Sequence, residues 1–131
     1  MAATPLVLAL RGELGAGKSV LARGVARGAG VRTPMPSPTF NLLFTYDAPE
    51  RAVQVFHLDL YRLRSADEVW ELGWRELGAA RQIVLIEWPE RAERILPEPR
   101  WDIHLIVDDT NPKIRQVNAQ RIGAASDLPQ P

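Results

Sequence analysis

The stretch Gly12-Glu13-Leu14-Gly15-Ala16-Gly17-Lys18-Ser19 matches the pattern G-x-x-x-x-G-K-[ST] at every fixed position. In such a loop, glycines let the backbone curve closely around a phosphate group, with successive N–H groups pointing inward. The lysine brings positive charge to the β- and γ-phosphates, and the hydroxyl binds Mg²⁺. Apolar residues 6–10 predict a strand before the loop, and residues 18–27 predict a helix after it. This context favours ATP and Mg²⁺ as ligands. The predicted nucleotide contacts are Glu13, Leu14, Gly15, Ala16, Gly17, Lys18, Ser19 and Val20.

Alternating apolar segments predict the rest of the fold. Further strands are expected at residues 53–58, 83–86 and 103–107, with additional ones at 40–46 and 115–122. Helices are expected at residues 65–77 and 89–96, the first from a capping-box pattern and the second from a proline at its start. Such alternation predicts an α/β fold, namely a three-layer, P-loop NTPase-like sandwich with a mainly parallel sheet. Residues 1–125 are expected to form one ATPase domain, followed by a flexible polar tail at 126–131.

Composition excludes several classes of function. Sixteen basic residues balance sixteen acidic ones, so no overall charge attracts nucleic acid, and no recognition-helix motif indicates DNA binding. The chain has no cysteine, which excludes disulfides and thiolate metal sites. Its longest apolar run is far too short to span a bilayer, and no signal peptide is visible. We therefore expect a cytoplasmic protein that does not bind membranes.

Two acidic residues stand at the ends of predicted strands. Glu87 follows four apolar residues, and a buried carboxylate needs a partner, so we expect it to bind Mg²⁺ together with Ser19. The alternative is a carboxylate that caps the helix beginning at residue 89. Asp59 ends another strand, where it could hold a Mg²⁺-bound water or orient the attacking water. The alternative for Asp59 is a loop residue paired with Arg62 or Arg64.

Three further segments give the sequence a specific resemblance. They are Ser37-Pro38-Thr39-Phe40, His57-Leu58-Asp59-Leu60-Tyr61-Arg62 and Leu85-Ile86-Glu87-Trp88-Pro89-Glu90-Arg91. In this order, and together with the phosphate loop, they resemble the bacterial TsaE family over about residues 6–96. That family comprises small ATPases needed to make threonylcarbamoyladenosine in tRNA.

The resemblance implies a role, partners and additional site residues. It implies an ATPase subunit of the complex that forms N6-threonylcarbamoyladenosine at position 37 of tRNAs reading codons that begin with A. The partners TsaB and TsaD carry out the transfer, tRNA is contacted through them, and hydrolysis drives turnover and is slow without them. Lys18, Asp59 and Glu87 are then catalytic, and Thr39 responds to the γ-phosphate, unless its hydroxyl makes only a local loop contact. Arg115 matches a family arginine near the nucleotide.

Two other functions remain open. A small-molecule P-loop kinase would need an acceptor pocket and usually an arginine-bearing lid, for which residues 65–77 leave little length. A nucleotide-dependent interaction module would bind ATP without hydrolysing it. The presence of Lys18, Ser19, Asp59 and Glu87 argues against that module.

Overall fold

The fold is that of a computed structural model, which describes residues 5–35, 42–49, 52–77 and 81–125. Two predictions lie outside these ranges, namely the loop that carries Thr39 and the flexible tail at 126–131. The strands are β1 Leu6–Arg11, β2 Leu43–Ala48, β3 Val53–Asp59, β4 Gln82–Glu87, β5 Arg100–Val107 and β6 Arg115–Ile122. Within the described residues, the helix α1 spans Lys18–Gly28, and three 3₁₀ segments span Ala66–Leu72, Trp74–Glu76 and Pro89–Ile95.

In the described ranges the strands form one sheet in the order β2-β3-β4-β1-β5-β6. The four central strands are parallel, and the two edge strands pair antiparallel with their neighbours. Glu87 on β4 lies opposite Leu10 on one side and Asp59 on the other. The carboxyl ends of β1, β3 and β4 therefore meet at one edge, which is where the phosphate loop leaves β1.

Each face of the sheet has its own apolar core. On one face, the buried Leu10 and Leu85 pack against Ala22 and Ala26 of α1. On the other, apolar strand residues pack against the 3₁₀ segments through Val69 and Trp74. Burying a side chain such as leucine stabilises a fold by about 1.5–3 kcal/mol, so both layers hold the sheet in place. The predicted three-layer α/β architecture with a mainly parallel sheet is confirmed. No helix in the described part of the chain is long and apolar enough to cross a membrane.

The single helix predicted at residues 65–77 is wrong. The segment forms two short 3₁₀ turns separated by Gly73, which has a left-handed conformation with φ 80°. Trp70 and Trp74, which one helix would place on the same face, consequently do not share one buried face. Trp74 is 4% exposed and its Nε1–H donates to the carbonyl of Ile95 at 2.6 Å, whereas Trp70 is 42% exposed. A glycine with positive φ commonly ends a helix. Gly73 therefore interrupts the single helix that the sequence pattern predicts.

The predicted helix starts are correct even where the helix type is not. The Glu68 carboxylate accepts the backbone N–H of Ser65 at 3.3 Å, as the capping pattern indicates. Pro89 opens its segment as expected, but that segment is also 3₁₀, and Ala92 interrupts it with a φ of −135°. The second layer therefore consists of tight turns rather than regular helices.

Candidate functional site

The phosphate loop owes its shape to glycines with positive φ. Gly12, Gly15 and Gly17 have φ values of 151°, 85° and 103°. A Cβ atom at Gly12 would lie 2.7 Å from the carbonyl oxygen of Leu105 on β5, which is far too close. At Gly15 and Gly17 a Cβ would meet no atom within 4 Å, so only the backbone conformation demands glycine there. The loop is thus wedged against β5 at its start and open to solvent at its tip.

Lys18 is folded back onto its own loop. Its side chain is nearly buried, and its ammonium donates to the carbonyl of Gly12 and to that of Glu13, the latter at 3.2 Å. The same nitrogen lies 3.5 Å from the centroid of the Trp88 ring, a cation–π contact. These are neutral partners, which an anionic phosphate would outcompete.

The charges around Lys18 favour its protonated form, while burial opposes it. Burial lowers the pKa of Lys18, and the negative charges of Glu90, Glu87 and Asp59 act in the opposite direction. Three carboxylates therefore act on the charge of one cation near this edge of the sheet. A polyanion entering the site would need a further positive charge, as a divalent cation provides.

Glu87 ends β4 as a carboxylate that is only 2% exposed. Its Oε1 accepts the hydroxyl of Ser19 at 2.8 Å. Its Oε2 is hydrogen-bonded to Nε2 of His57, which is likewise buried. The need for a partner that the sequence indicated is met here by a hydroxyl and an imidazole.

Asp59 lies next to Glu87 on the adjacent strand. Its carboxylate accepts the backbone N–H of Tyr61 at 3.0 Å. Burial raises the pKa of Asp59, and the charge of Glu87 raises it further, whereas the Tyr61 N–H, His57 and Lys18 oppose the rise. An acid whose pKa is raised by its surroundings is better suited to accept a proton than an exposed one.

One cleft of about 330 Å³ unites these groups. Lys18, Ser19, Asp59 and Glu87 all line it, together with Gly15 and Gly17. Leu14 and Val20 form its rim and are 77% and 67% exposed. Tyr61 and Trp88 complete the lining, with ring centroids 4.9 Å apart. Most of the described residues that the sequence singles out thus meet in this cleft. Glu13, Ala16 and Arg115 are not among the residues that line it, and Thr39 lies outside the described ranges.

Arg115 reaches the phosphate loop from the far edge of the sheet. Its Nε–H donates to the carbonyl of Ala16 at 3.0 Å, and its guanidinium also bonds to the carbonyl of Pro112. Arg115 touches the backbone of the loop but is not among the residues that line the cleft. Arg115, which was predicted to lie near the nucleotide, therefore contacts the backbone of the phosphate loop instead of lining the cleft.

His57 was not predicted as a site residue. Strand alternation places it on the same face as Asp59, but its contact with Glu87 requires β3 and β4 to be neighbours. Nothing in the local sequence specifies that pairing. If the strand order had been known, a histidine next to the acidic end of a neighbouring strand would have indicated His57 as a candidate site residue.

The fold and the cleft define a class of protein. A strand, a glycine-rich loop and a helix, followed by acids at neighbouring strand ends of a parallel sheet, constitute a P-loop NTPase-like α/β protein. Residues 1–117 match the family described as "Threonylcarbamoyl adenosine biosynthesis protein TsaE". The chain belongs to the TsaE family, and the resemblance drawn from its motifs is confirmed.

Curated relatives and a solved structure agree with this assignment. A TsaE protein of Rickettsia prowazekii is 35% identical over 115 residues, which cover 87% of this chain and 78% of that protein. A TsaE protein of Bacillus subtilis is 31% identical over 117 residues, covering 89% and 70%. The structure titled "Crystal structure of Bacillus subtilus YdiB" superposes with a TM-score of 0.55 at 26% identity, covering 82% of this chain and 63% of that one.

Proposed function

We propose that this protein is a Mg-ATP-dependent ATPase of tRNA threonylcarbamoyladenosine biosynthesis. Membership of the TsaE family supports the pathway. The observation that supports the chemistry is the meeting of Lys18, Ser19, Asp59 and Glu87 in one cleft beside the phosphate loop. Each of these four side chains has a distinct role in binding or hydrolysing the nucleotide.

The loop and Lys18 bind the phosphates. Positive φ at Gly15 and Gly17 leaves the inner backbone free for close approach of an anion. Helix α1 begins at Lys18, so the positive end of its dipole adds to the attraction. Lys18 exchanges the two loop carbonyls and the Trp88 ring for phosphate oxygens.

The residues present also fit a magnesium ion. Mg²⁺ prefers oxygen ligands and usually takes one or two from the protein and the rest from phosphates and water. Glu87 and Ser19 offer a buried carboxylate and a hydroxyl whose oxygens lie 2.8 Å apart. These two residues would hold the ion, which when bound neutralises charge on the transferred phosphoryl group.

Asp59 acts on the attacking water. It lines the same cleft and is the neighbour of Glu87 in register. Its raised pKa suits a group that orients water and accepts its proton. Thr39, which lies outside the described ranges, would respond to the γ-phosphate, and Arg115 supports the phosphate loop through its contact with Ala16.

The partners are TsaB and TsaD, and tRNA is reached through them. The exposed apolar rim of Leu14 and Val20 is suited to contact with another protein at the mouth of the cleft. Such a contact would exclude bulk water, but not the attacking water, from the cleft and would speed a slow intrinsic hydrolysis. The protein would then couple ATP hydrolysis to turnover of the complex without carrying out the transfer itself.

Phosphate release tests this proposal. The purified chain, alone and with TsaB and TsaD, is compared with Glu87→Gln and with Glu71→Gln, an exposed acid away from the cleft. Release that the partners stimulate, that Glu87→Gln abolishes and that Glu71→Gln leaves intact is the expected result. ATP binding without release in any mixture would favour the interaction module, and phosphate transfer to a small molecule would favour the kinase.

A further inference from the structure

Each oxygen of the Glu87 carboxylate is hydrogen-bonded to a different residue. Ser19 Oγ donates to Oε1 at 2.8 Å, while His57 Nε2 contacts Oε2. Because a carboxylate only accepts hydrogen bonds, Nε2 carries the hydrogen in this contact. Both Glu87 and His57 are almost fully buried, at 2% and 3% exposed. Buried polar groups of this kind persist only when they are paired.

The fold leaves His57 little freedom to move away. It sits in β3 between β2 and β4, opposite Phe44 on one side and Leu85 on the other. Glu87 lies two residues beyond Leu85, so its side chain emerges on the same face as that of His57. The pairing is thus built into the register of the sheet.

Once nucleotide binds, Ser19 and Lys18, the other side chains near Glu87, are expected to make different contacts. The hydroxyl of Ser19 is the expected second protein ligand of the cation, and Lys18 is the expected phosphate contact. Ser19 therefore does not remain as a fixed hydrogen-bond donor to the carboxylate, and Lys18 makes no hydrogen bond to it in the described structure. His57 is the partner that stays.

We propose that His57 is a positioning residue for the metal-binding carboxylate. By holding Oε2, it turns Oε1 toward the place beside Ser19 where the cation binds. Groups that orient a metal ligand in this way typically change metal affinity by about 10- to 100-fold when they are removed. This inference rests on the proposed function, because it assumes that Glu87 binds Mg²⁺.

Variants at the two histidines of the chain test the assignment. His57→Gln keeps an N–H donor at a similar reach, His57→Asn carries a shorter amide that does not reach, and His57→Leu removes the donor. His104→Leu, at an exposed position on β5, is the matched control. ATP affinity is measured by calorimetry in EDTA and across a series of Mg²⁺ concentrations, and folding is checked by thermal unfolding.

We expect His57→Leu and His57→Asn to raise the Mg²⁺ concentration for half-maximal ATP binding by about 10-fold or more. Affinity in EDTA should stay within about twofold, and His57→Gln and His104→Leu should behave like the wild type. In a Glu87→Gln background, loss of the imidazole should add nothing. If His57→Leu does not fold, the comparison of the Asn and Gln variants decides.

Two results would overturn the assignment. One is a His57→Leu or His57→Asn variant with the Mg²⁺ dependence of the wild type, and the other is an equal loss of affinity with and without Mg²⁺. A wild-type chain whose ATP affinity gains nothing from Mg²⁺ would overturn the proposed function as well. The three results are distinguishable in the same titrations.

Discussion

Replacing Gly12 with alanine should destabilise the fold, because it displaces the start of the phosphate loop from β5, against which the loop packs. Two effects combine at this position. The φ of 151° is unfavourable for any residue with a Cβ, and the new methyl group would lie 2.7 Å from the Leu105 carbonyl oxygen and 3.2 Å from Cβ of Ala16. The oxygen belongs to the backbone of a central strand, so it cannot yield as a flexible side chain would.

The expected magnitude follows from these contacts. Positive-φ strain in a non-glycine residue costs about 1–3 kcal/mol, and overpacking adds about 1–3 kcal/mol. Alanine also reduces the entropy of the unfolded chain, which offsets about 0.4–1 kcal/mol. The net loss in the free energy of unfolding should be about 1–5 kcal/mol, or roughly 4–20 °C in Tm for a domain of this size.

Gly24 provides the matched comparison. It lies in the middle of α1, is exposed, and has no neighbouring atom within 4 Å of the position that an alanine methyl group would take. Alanine is the better helix former there by about 0.5–1 kcal/mol. Gly24→Ala should therefore raise Tm by about 2–4 °C.

Thermal and urea unfolding of the two variants check the reasoning. We expect opposite signs for the same chemical change. If Gly12→Ala unfolded at the same temperature as the wild type, the loop would not be seated against β5 as the structure has it.

Three further substitutions address charge, loop support and packing. Asp59→Asn should lower phosphate release by about 100-fold or more, the scale of general-base catalysis, yet stabilise the fold at pH 7. The pKa of Asp59 is raised in the folded state, so its charged form disfavours folding, and the gain should vanish as pH falls below the ordinary aspartate value of about 3.9. Arg115→Ala should weaken ATP binding by about 3- to 10-fold through loss of a charged hydrogen bond to the loop, measured by calorimetry against Arg121→Ala at the other end of β6. Trp74→Phe should cost about 1–2 kcal/mol in urea unfolding because its partner carbonyl loses a donor, whereas Trp70→Phe should be nearly neutral.

Each of these three predictions would be contradicted by a specific result. A stability gain from Asp59→Asn that is the same at neutral pH and at a pH below about 3.9 would mean that ionisation is not the cause. Equal ATP affinities in Arg115→Ala and Arg121→Ala would remove the loop-support role. Equal unfolding free energies for the two tryptophan variants would mean that the hydrogen bond to Ile95 contributes nothing.

The phosphate loop and its flanks could be predicted because their information is local. The motif is contiguous, and the strand before it is a continuous run of apolar residues that a parallel sheet buries on both faces. The strand predictions at 53–58, 83–86, 103–107 and 115–122 are confirmed, with small shifts at their ends. For the strand predicted at 40–46, the structure has β2 at Leu43–Ala48, and residue 40 lies outside the described ranges.

The second layer could not be predicted in the same way. The apolar spacing at residues 65–77 fits a helix, but it does not reveal that Gly73 adopts a left-handed conformation. In 3₁₀ turns the side chains repeat every three residues, which moves Trp70 out of the face that Trp74 occupies.

The contacts that complete the site are non-local. His57 and Glu87 are thirty residues apart, and Arg115 contacts Ala16 across ninety-nine. Both depend on which strands are neighbours and in what register, and neither property is written in a local pattern. The individual acids could therefore be predicted, while the network that orients them could not.

One titration tests most directly whether the cleft binds Mg-ATP through its lysine. The chain has two lysines, Lys18 in the cleft and Lys113 in the exposed turn before β6. Calorimetry with ATP and Mg²⁺ should show binding to the wild type and to Lys113→Ala with the same affinity. Lys18→Ala should bind about 10- to 100-fold more weakly, the value of a charge-assisted contact. Equal affinity of the two lysine variants, or a wild type that does not bind, would contradict a nucleotide site at this loop.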